Sequence, residues 1–491
     1  MRHIAAFVLF KSQRVNFLSK YLLACILLLS FTFANAAQVT PFDSADEGRL
    51  FTLQGSNTIG ARLAPAWAKS FLEAKGAKGI MVEALPQLNE YRIKGRNGAR
   101  AVFIDVNAHG SSTGFQGLKT NMADIALSSR SIKDKEVSAL NNLGDMRSAQ
   151  SEHVVAIDGL AVIIHPNNEL AKLPVNVIGQ IFSGQITNWE ILGGPNRTIN
   201  VYARDDQSGT YDTFKNLVLG KQLALIPTAK RFESNDELSD RVASDIDGIG
   251  FVGLASVRQA KALAVSEGNT TALKPEIMYV ATEDYPLSRR LYMYTGQSGN
   301  KPLVTEFIHF AQDLDGQKIV EEIGFISQNP KSLTVELATG PAQYQALSKY
   351  ARRLSLNFRF QSGRADLDNK ALQDVQRLAR FMKMYANKNM NIQLVGFSNV
   401  ESTEKRAQVL SRLRATAVKS ALYRYDIRTD SVMGFGDTLR VADATGSSSV
   451  KNERVEVWIY PSTAAAAVEK VRKGDLTAKI LRSIAPVIAT Q

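Results

Sequence analysis

From about Gly48 onward, short apolar runs rich in Val and Ile alternate with stretches of helical spacing. Leu63, Trp67 and Phe71 recur at a helical period, whereas Val154-Val155-Ala156-Ile157 and Ala161-Val162-Ile163-Ile164 read as strands. This alternation predicts an α/β architecture. It persists to about Ile326, where Gln328-Asn329-Pro330 breaks it. A transitional segment over 331–350 then leads to a second, more compact pattern. Asn357-Phe358-Arg359-Phe360 reads as a strand, and Leu372, Val375, Leu378, Ala379 and Met382 mark a helical face. Ile392 and Leu394 mark a strand, Leu410, Ala417, Val418 and Ala421 a second helix, and Val455, Val457 and Ile459 a closing strand. The βαβαβ-like order predicts a small α+β domain over 350–463. The basic, alanine-rich tail over 464–491 has two amphipathic stretches, Val468 to Val471 and Ile480 to Ile484, compatible with a terminal helix or with disorder.

The 491 residues exceed what one core normally serves, so two or three domains are expected. The hydrophobic share of 45% and charged share of 22% are those of globular chains and exclude a multi-span membrane protein. Arg2, Lys11, Arg14 and Lys20 precede an apolar run from Tyr21 to Phe33, and Ala34-Asn35-Ala36 supplies small residues for cleavage. This predicts an export signal over residues 1–36, the run being shorter than the ~20 residues of a spanning helix. Leu22-Leu23-Ala24-Cys25 is similar to a lipoprotein box, but apolar sequence continues beyond it. Cys25 is the sole cysteine, so the exported chain has no thiol or disulfide. Removal of the signal lowers the net charge from +12 to +8, a balance mildly suited to anionic ligands or envelope polyanions. No interleaving of basic and aromatic residues points to nucleic acid.

Four segments of the first module share one chemistry. Gly55-Ser56-Asn57-Thr58, Gly110-Ser111-Ser112-Thr113-Gly114 and Ser208-Gly209-Thr210 each precede a predicted helix, over Arg62 to Phe71, Phe115 to Thr120 and Tyr211 to Leu219. Helices that start at Ser or Thr caps present free N–H groups, and converging starts make an anion pocket. Arg204 adds a permanent positive fork of donors. Asp124, in Met122-Ala123-Asp124-Ile125-Ala126, would repel an anion unless it accepts a proton from it, which favours hydrogen phosphate over sulfate. Taken singly, each segment is as compatible with an ordinary turn or cap.

In order, "LQGSNTIGARLAPAW", "HGSSTGFQGLKTNMADIALSSR", "IFSGQITNWEILGG", "RDDQSGTYDTF" and "DGIGFV" resemble the periplasmic phosphate-binding protein of the phosphate ABC transporter. The resemblance covers about residues 50–330. It implies a two-lobed periplasmic-binding-protein fold of type II over 48–335 that closes on inorganic phosphate for an ABC permease, with crossings near 150–160 and 245–255. It places phosphate contacts on Thr58, Ser111, Asp124, Arg204, Ser208, Gly209 and Thr210, with Ser56 a second candidate beside Thr58. Asp206 is expected to orient Arg204. Residues 82–108, including Tyr91-Arg92-Ile93-Lys94, form a longer stretch than the family's, which either carries a new contact or is a surface excursion, the surface being expected.

In the second module, "VGFSNVESTEKRAQVLSRLRATAVKSAL", flanked by "NFRFQSGRADL", Gly434-Phe435-Gly436 and Asn452-Glu453-Arg454-Val455-Glu456, resembles the OmpA-like peptidoglycan-binding domain. The resemblance implies wall-peptide binding by an aspartate and an arginine, whose positions fall on Asn399 and Arg414, with Arg454 a further candidate. Here Asn399 lacks the aspartate's charge, Phe397 replaces a histidine and Ala407 a common asparagine.

His109, His153, His165 and His309 show no metal-ligand spacing, and Ser208 lacks the Gly-x-Ser-x-Gly elbow, so neither a metal, a cofactor nor an enzyme activity is expected. Two functions remain: a periplasmic phosphate receptor for transport, or an envelope protein that uses the same folds for sensing, adhesion or wall attachment.

Overall fold

The computed structural model describes residues 39–475, apart from residue 207 and short stretches at 298–300, 336–339, 362–363, 365, 386–388, 430 and 446. The expected export signal with Cys25, and the tail beyond residue 475, lie outside the described residues.

The chain opens with β1 (Gly48–Gly55), one helical turn α1 (Asn57–Gly60) and α2 (Leu63–Ala74). It continues through β2 (Lys78–Ala84), β3 (Glu90–Asn97), β4 (Arg100–Ala108), α3 (Ser111–Lys119) and β5 (Ile125–Ser128). Strand β6 (Glu152–Ile164) leads into α4 (Val175–Phe182), β7 (Asn200–Arg204), α5 (Gly209–Phe214), β8 (Lys230–Phe232), α6 (Asn235–Ser244) and β9 (Gly248–Gly253). Strand β10 (Ser288–Tyr294) then returns the chain to α7 (Pro302–Gln312) and α8 (Leu314–Ile323).

These strands form one hydrogen-bonded path, β2-β3-β4-β1-β5-β10-β6-β9-β7-β8. Two lobes share it because β6 is 13 residues long and apolar almost throughout, so each half can be covered by a different set of helices. Val155 and Ala156 of β6 enter a core with Phe51, Trp67, Phe71 and Phe307. Leu160, Val162 and Ile164 enter a second, where Phe214 and Phe251 stack at 3.9 Å. The expected crossing at 245–255 is not one: β9 pairs with β6 and β7 within the second lobe. The return runs instead through Leu287, whose carbonyl accepts the Leu160 N–H at 3.0 Å, into β10. An apolar Gly-Ile-Gly-Phe-Val run marks a buried strand, and periodicity alone does not say in which lobe it pairs.

The second unit comprises β11 (Ser332–Leu333), α9 (Ala342–Leu347), β12 (Arg352–Arg359), α10 (Asn369–Met384), β13 (Met390–Gly396), α11 (Glu404–Tyr423), β14 (Val432–Gly434), β15 (Arg454–Pro461) and α12 (Ala465–Lys473). Its sheet runs β11-β12-β15-β13-β14. Asp368 caps α10 by accepting the Ala371 N–H at 2.7 Å, and Ala371, Val375, Leu378 and Phe381 form the buried face. Leu372, expected on that face, is 45% exposed. The start of the tail is helical, and α12 buries Val468 and Val471 in a cluster with Tyr344, Phe397 and Trp458.

Candidate ligand-binding cleft

The cleft between the lobes is built from the turns that end three strands. Gly55 closes β1, and Ser56 precedes α1 with its N–H bonded to the Leu127 carbonyl at 2.9 Å. Ser111 is the first residue of α3. From the other lobe, Ser208 caps α5, its Oγ accepting the Tyr211 N–H at 3.3 Å, and Gly209 and Thr210 open the helix. Two cavities, of about 460 and 440 Å3, flank the line where the lobes meet. Ser56, Ser111 and Ser208 line the first; Thr58, Arg204, Ser208, Gly209 and Thr210 line the second. The structure therefore brings seven of the eight predicted residues to one cleft.

Asp124 is the exception. Its carboxylate accepts the Thr52 N–H at 2.9 Å and pairs with Lys301 at 3.0 Å, and it lines neither cavity. The wall it was expected to occupy is carried five residues further along by Ser129, whose N–H donates to Ser111 Oγ at 3.1 Å. Asp206 likewise does not orient Arg204: it pairs with Arg231 at 2.7 Å. Arg204 donates to the carbonyls of Phe232 and Glu233 at 3.1 and 2.5 Å, with Asp205 at 3.6 Å. Those carbonyls fix the guanidinium along the cavity wall, and burial lowers its pKa.

Three contributions escaped the reading of motifs. Arg289, on β10, donates from Nη2 to Thr58 Oγ1 and to the Gly209 carbonyl, both at 2.8 Å, and so ties the two lobes together. Its Nε lies 3.2 Å from Asp158 Oδ2, in the middle of β6. Burial raises the pKa of Asp158 against the pull of Arg289, and burial lowers that of Arg289 against the pull of Asp158. The signal for this pair was a single acid inside the apolar run of β6. The third contribution is Gln87-Leu88-Asn89, at the tip of the β2–β3 hairpin, which lines the cleft. The expected surface excursion holds for β2, which is largely exposed, whereas the tip takes the alternative of a new contact.

In the second unit, Asn399 Nδ2 donates to the Ala444 carbonyl at 2.9 Å, and its Oδ1 accepts from Asn452 at 3.1 Å. Arg414 pairs with Glu453 at 2.6 Å. Arg454 is 2% exposed, bonded to Glu456 Oε1 and the Leu439 carbonyl at 3.1 Å each, and stacked 4.0 Å over Phe397.

A mixed sheet shared by two lobes, with helix starts and arginines converging on the cleft between them, defines a solute-binding protein. A model of the PBP superfamily domain matches residues 88–313, and one of the OmpA family matches residues 359–454. The chain is 30% identical over 231 residues to the phosphate-binding protein PstS of Borreliella burgdorferi, covering 45% of this chain and 79% of that one. It is 28% identical over 278 residues to protein SphX of Synechococcus elongatus, covering 54% and 80%. The chain belongs to the family of the phosphate-binding protein PstS, and carries an OmpA-family domain after it. It also aligns with the crystal structure of an ABC-type phosphate transport receptor from Vibrio cholerae at 26% identity and a TM-score of 0.44, covering 56% of this chain and 99% of that chain.

Proposed function

We propose that the cleft binds inorganic phosphate in the cell envelope and presents it to an ABC permease, and that the OmpA-like domain associates with peptidoglycan. What carries the phosphate reading is the meeting of Ser56, Thr58, Ser111, Ser208, Gly209 and Thr210 with Arg204 in one interlobe cleft. Hydroxyls, helix-start N–H groups and a guanidinium are the donors a tetrahedral oxyanion needs, and they come from both lobes, so the anion itself would favour closure. The names of the relatives support the same ligand. The site residues, the permease and the wall association are inferences from that chemistry and from family membership.

The test is calorimetric titration of residues 37–491 with phosphate, with sulfate in parallel and Arg204→Ala as control. Saturable phosphate binding that Arg204→Ala weakens at least about tenfold supports the reading. A folded protein that takes up no phosphate would overturn it.

A further inference from the structure

Immediately before β10, the hinge return carries a buried ionic dock for the second unit. Asp284 is 1% exposed. One carboxylate oxygen accepts from Arg353 at 2.9 Å, and the other from Arg359 and Asn357 at 2.9 and 3.0 Å, all three on β12. Arg359 also donates to the Thr282 carbonyl at 2.8 Å. Glu283, held at a φ of +60°, takes both ends of the Arg290 guanidinium at 2.5 and 2.9 Å. Arg290 reaches on to Asp368, the cap of α10, at 2.8 Å. Thus residues 282–284 and 290 are gripped by the second unit, while Arg289 between them turns to Asp158, Thr58 and Gly209.

We propose that Asp284, Glu283 and Arg290 are positioning residues for the Arg289 latch, so that docking of the OmpA-like unit sets how firmly the phosphate cleft closes. The inference rests on the phosphate reading for its ligand but not for its geometry. Two buried carboxylates with arginine partners have one low-energy arrangement, because loss of any partner strands a charge away from water. A non-glycine residue at positive φ persists only where its surroundings hold it. The backbone entering β10 is therefore set by β12 and α10, and Arg289 is carried with it. Its guanidinium touches both lobes, which separate when such a cleft opens. Coupling between dock and cleft is reciprocal: whatever loosens one weakens the other, and the ligand must tighten the dock.

The experiment compares residues 37–491 with Asp284→Asn and Asp368→Asn by hydrogen exchange and by phosphate titration. Asp284→Asn keeps the shape and removes the charge; Asp368→Asn keeps the helix cap and removes one ion pair, so it remains informative if the first fails to fold. Both variants are expected to exchange faster at 352–359 and also across the cleft at 57–60 and 208–211, and the phosphate Kd is expected to rise at least about threefold in Asp284→Asn. Phosphate should slow exchange at 352–359 in the parent. A purely structural dock predicts lower stability with unchanged cleft exchange and Kd, and that result overturns the proposal. If the parent binds no phosphate while the variants still loosen the cleft, the ligand assignment fails and the coupling stands.

Discussion

Thr58 and Gly209 meet across the cleft so closely that a β-carbon on Gly209 would overlap the Thr58 hydroxyl and lie 2.7 Å from the Thr58 backbone nitrogen. Thr58 lies in the helical turn α1 of the first lobe and Gly209 opens α5 of the second, so their approach is closure itself. Gly209→Ala should fold normally, because the added methyl meets the other lobe rather than its own. It should hold the lobes apart and weaken phosphate binding at least about tenfold, or ~1.4 kcal/mol. Titration checks the affinity, and small-angle scattering with and without phosphate should show that the variant no longer compacts.

The displacement of Asp124 from the cleft makes a sharp contrast. Asp124→Asn should change phosphate affinity, and the ratio of phosphate to sulfate affinity, by less than about twofold, since its partners are Thr52 and Lys301. Arg289→Lys retains the charge beside Asp158 but not the fork that reaches Thr58 and Gly209 together, and should weaken binding about tenfold. A large effect of Asp124→Asn would restore it to the site.

Much of the cleft was legible because helix starts have a local signature. A Ser or Thr cap beside glycine announces free N–H groups wherever the chain takes it, and Ser56, Thr58, Ser111, Ser208, Gly209 and Thr210 all came together. Asp124 misled because an acid at a strand start looks chemically purposeful, while its replacement in the cleft, Ser129, is chemically unremarkable. Arg289 and the dock were illegible for a different reason. Charged and polar residues at alternating strand positions, such as Arg353, Asn357 and Arg359 on β12 and Arg454 and Glu456 on β15, have the spacing of a solvent-facing strand surface. Here that surface is covered by the hinge of the first module, so the pattern of the strand was right and its exposure was not.

Acid sensitivity should arise near the start of β6. His153 is pushed down to about 4 by burial and by the neighbouring His309. The unfolded chain takes up its proton near pH 6.5, whereas the folded chain resists until about 4, so stability falls as pH drops through that window. Glu283 and Asp284 lose their stabilising contribution in the same direction but in a lower window. Burial opposes their ionisation, but the surrounding arginines hold both at about 2, so their contribution persists above about pH 4 and is lost only as pH falls towards 2. Denaturant unfolding at pH 7 and pH 5 should therefore show a loss of roughly 1–2 kcal/mol from His153, discounted for its partial exposure, which His153→Gln removes.

Wall association turns on Arg414. A guanidinium offered to a wall-peptide carboxylate must be free to accept it, yet Arg414 is 8% exposed and already paired with Glu453 at 2.6 Å. Asn399, which would face the peptide's ammonium, brings no charge, and both ends of its amide are used within the domain. An incoming carboxylate must displace Glu453, so attraction to Arg414 is offset by repulsion from the acid it replaces. Glu453→Gln removes that competitor with little change of shape. It should increase sedimentation of residues 37–491 with isolated peptidoglycan by about threefold or more, in a manner suppressed by salt. Equal sedimentation of parent and variant, insensitive to salt, would mean that whatever holds the domain to the wall does not pass through Arg414.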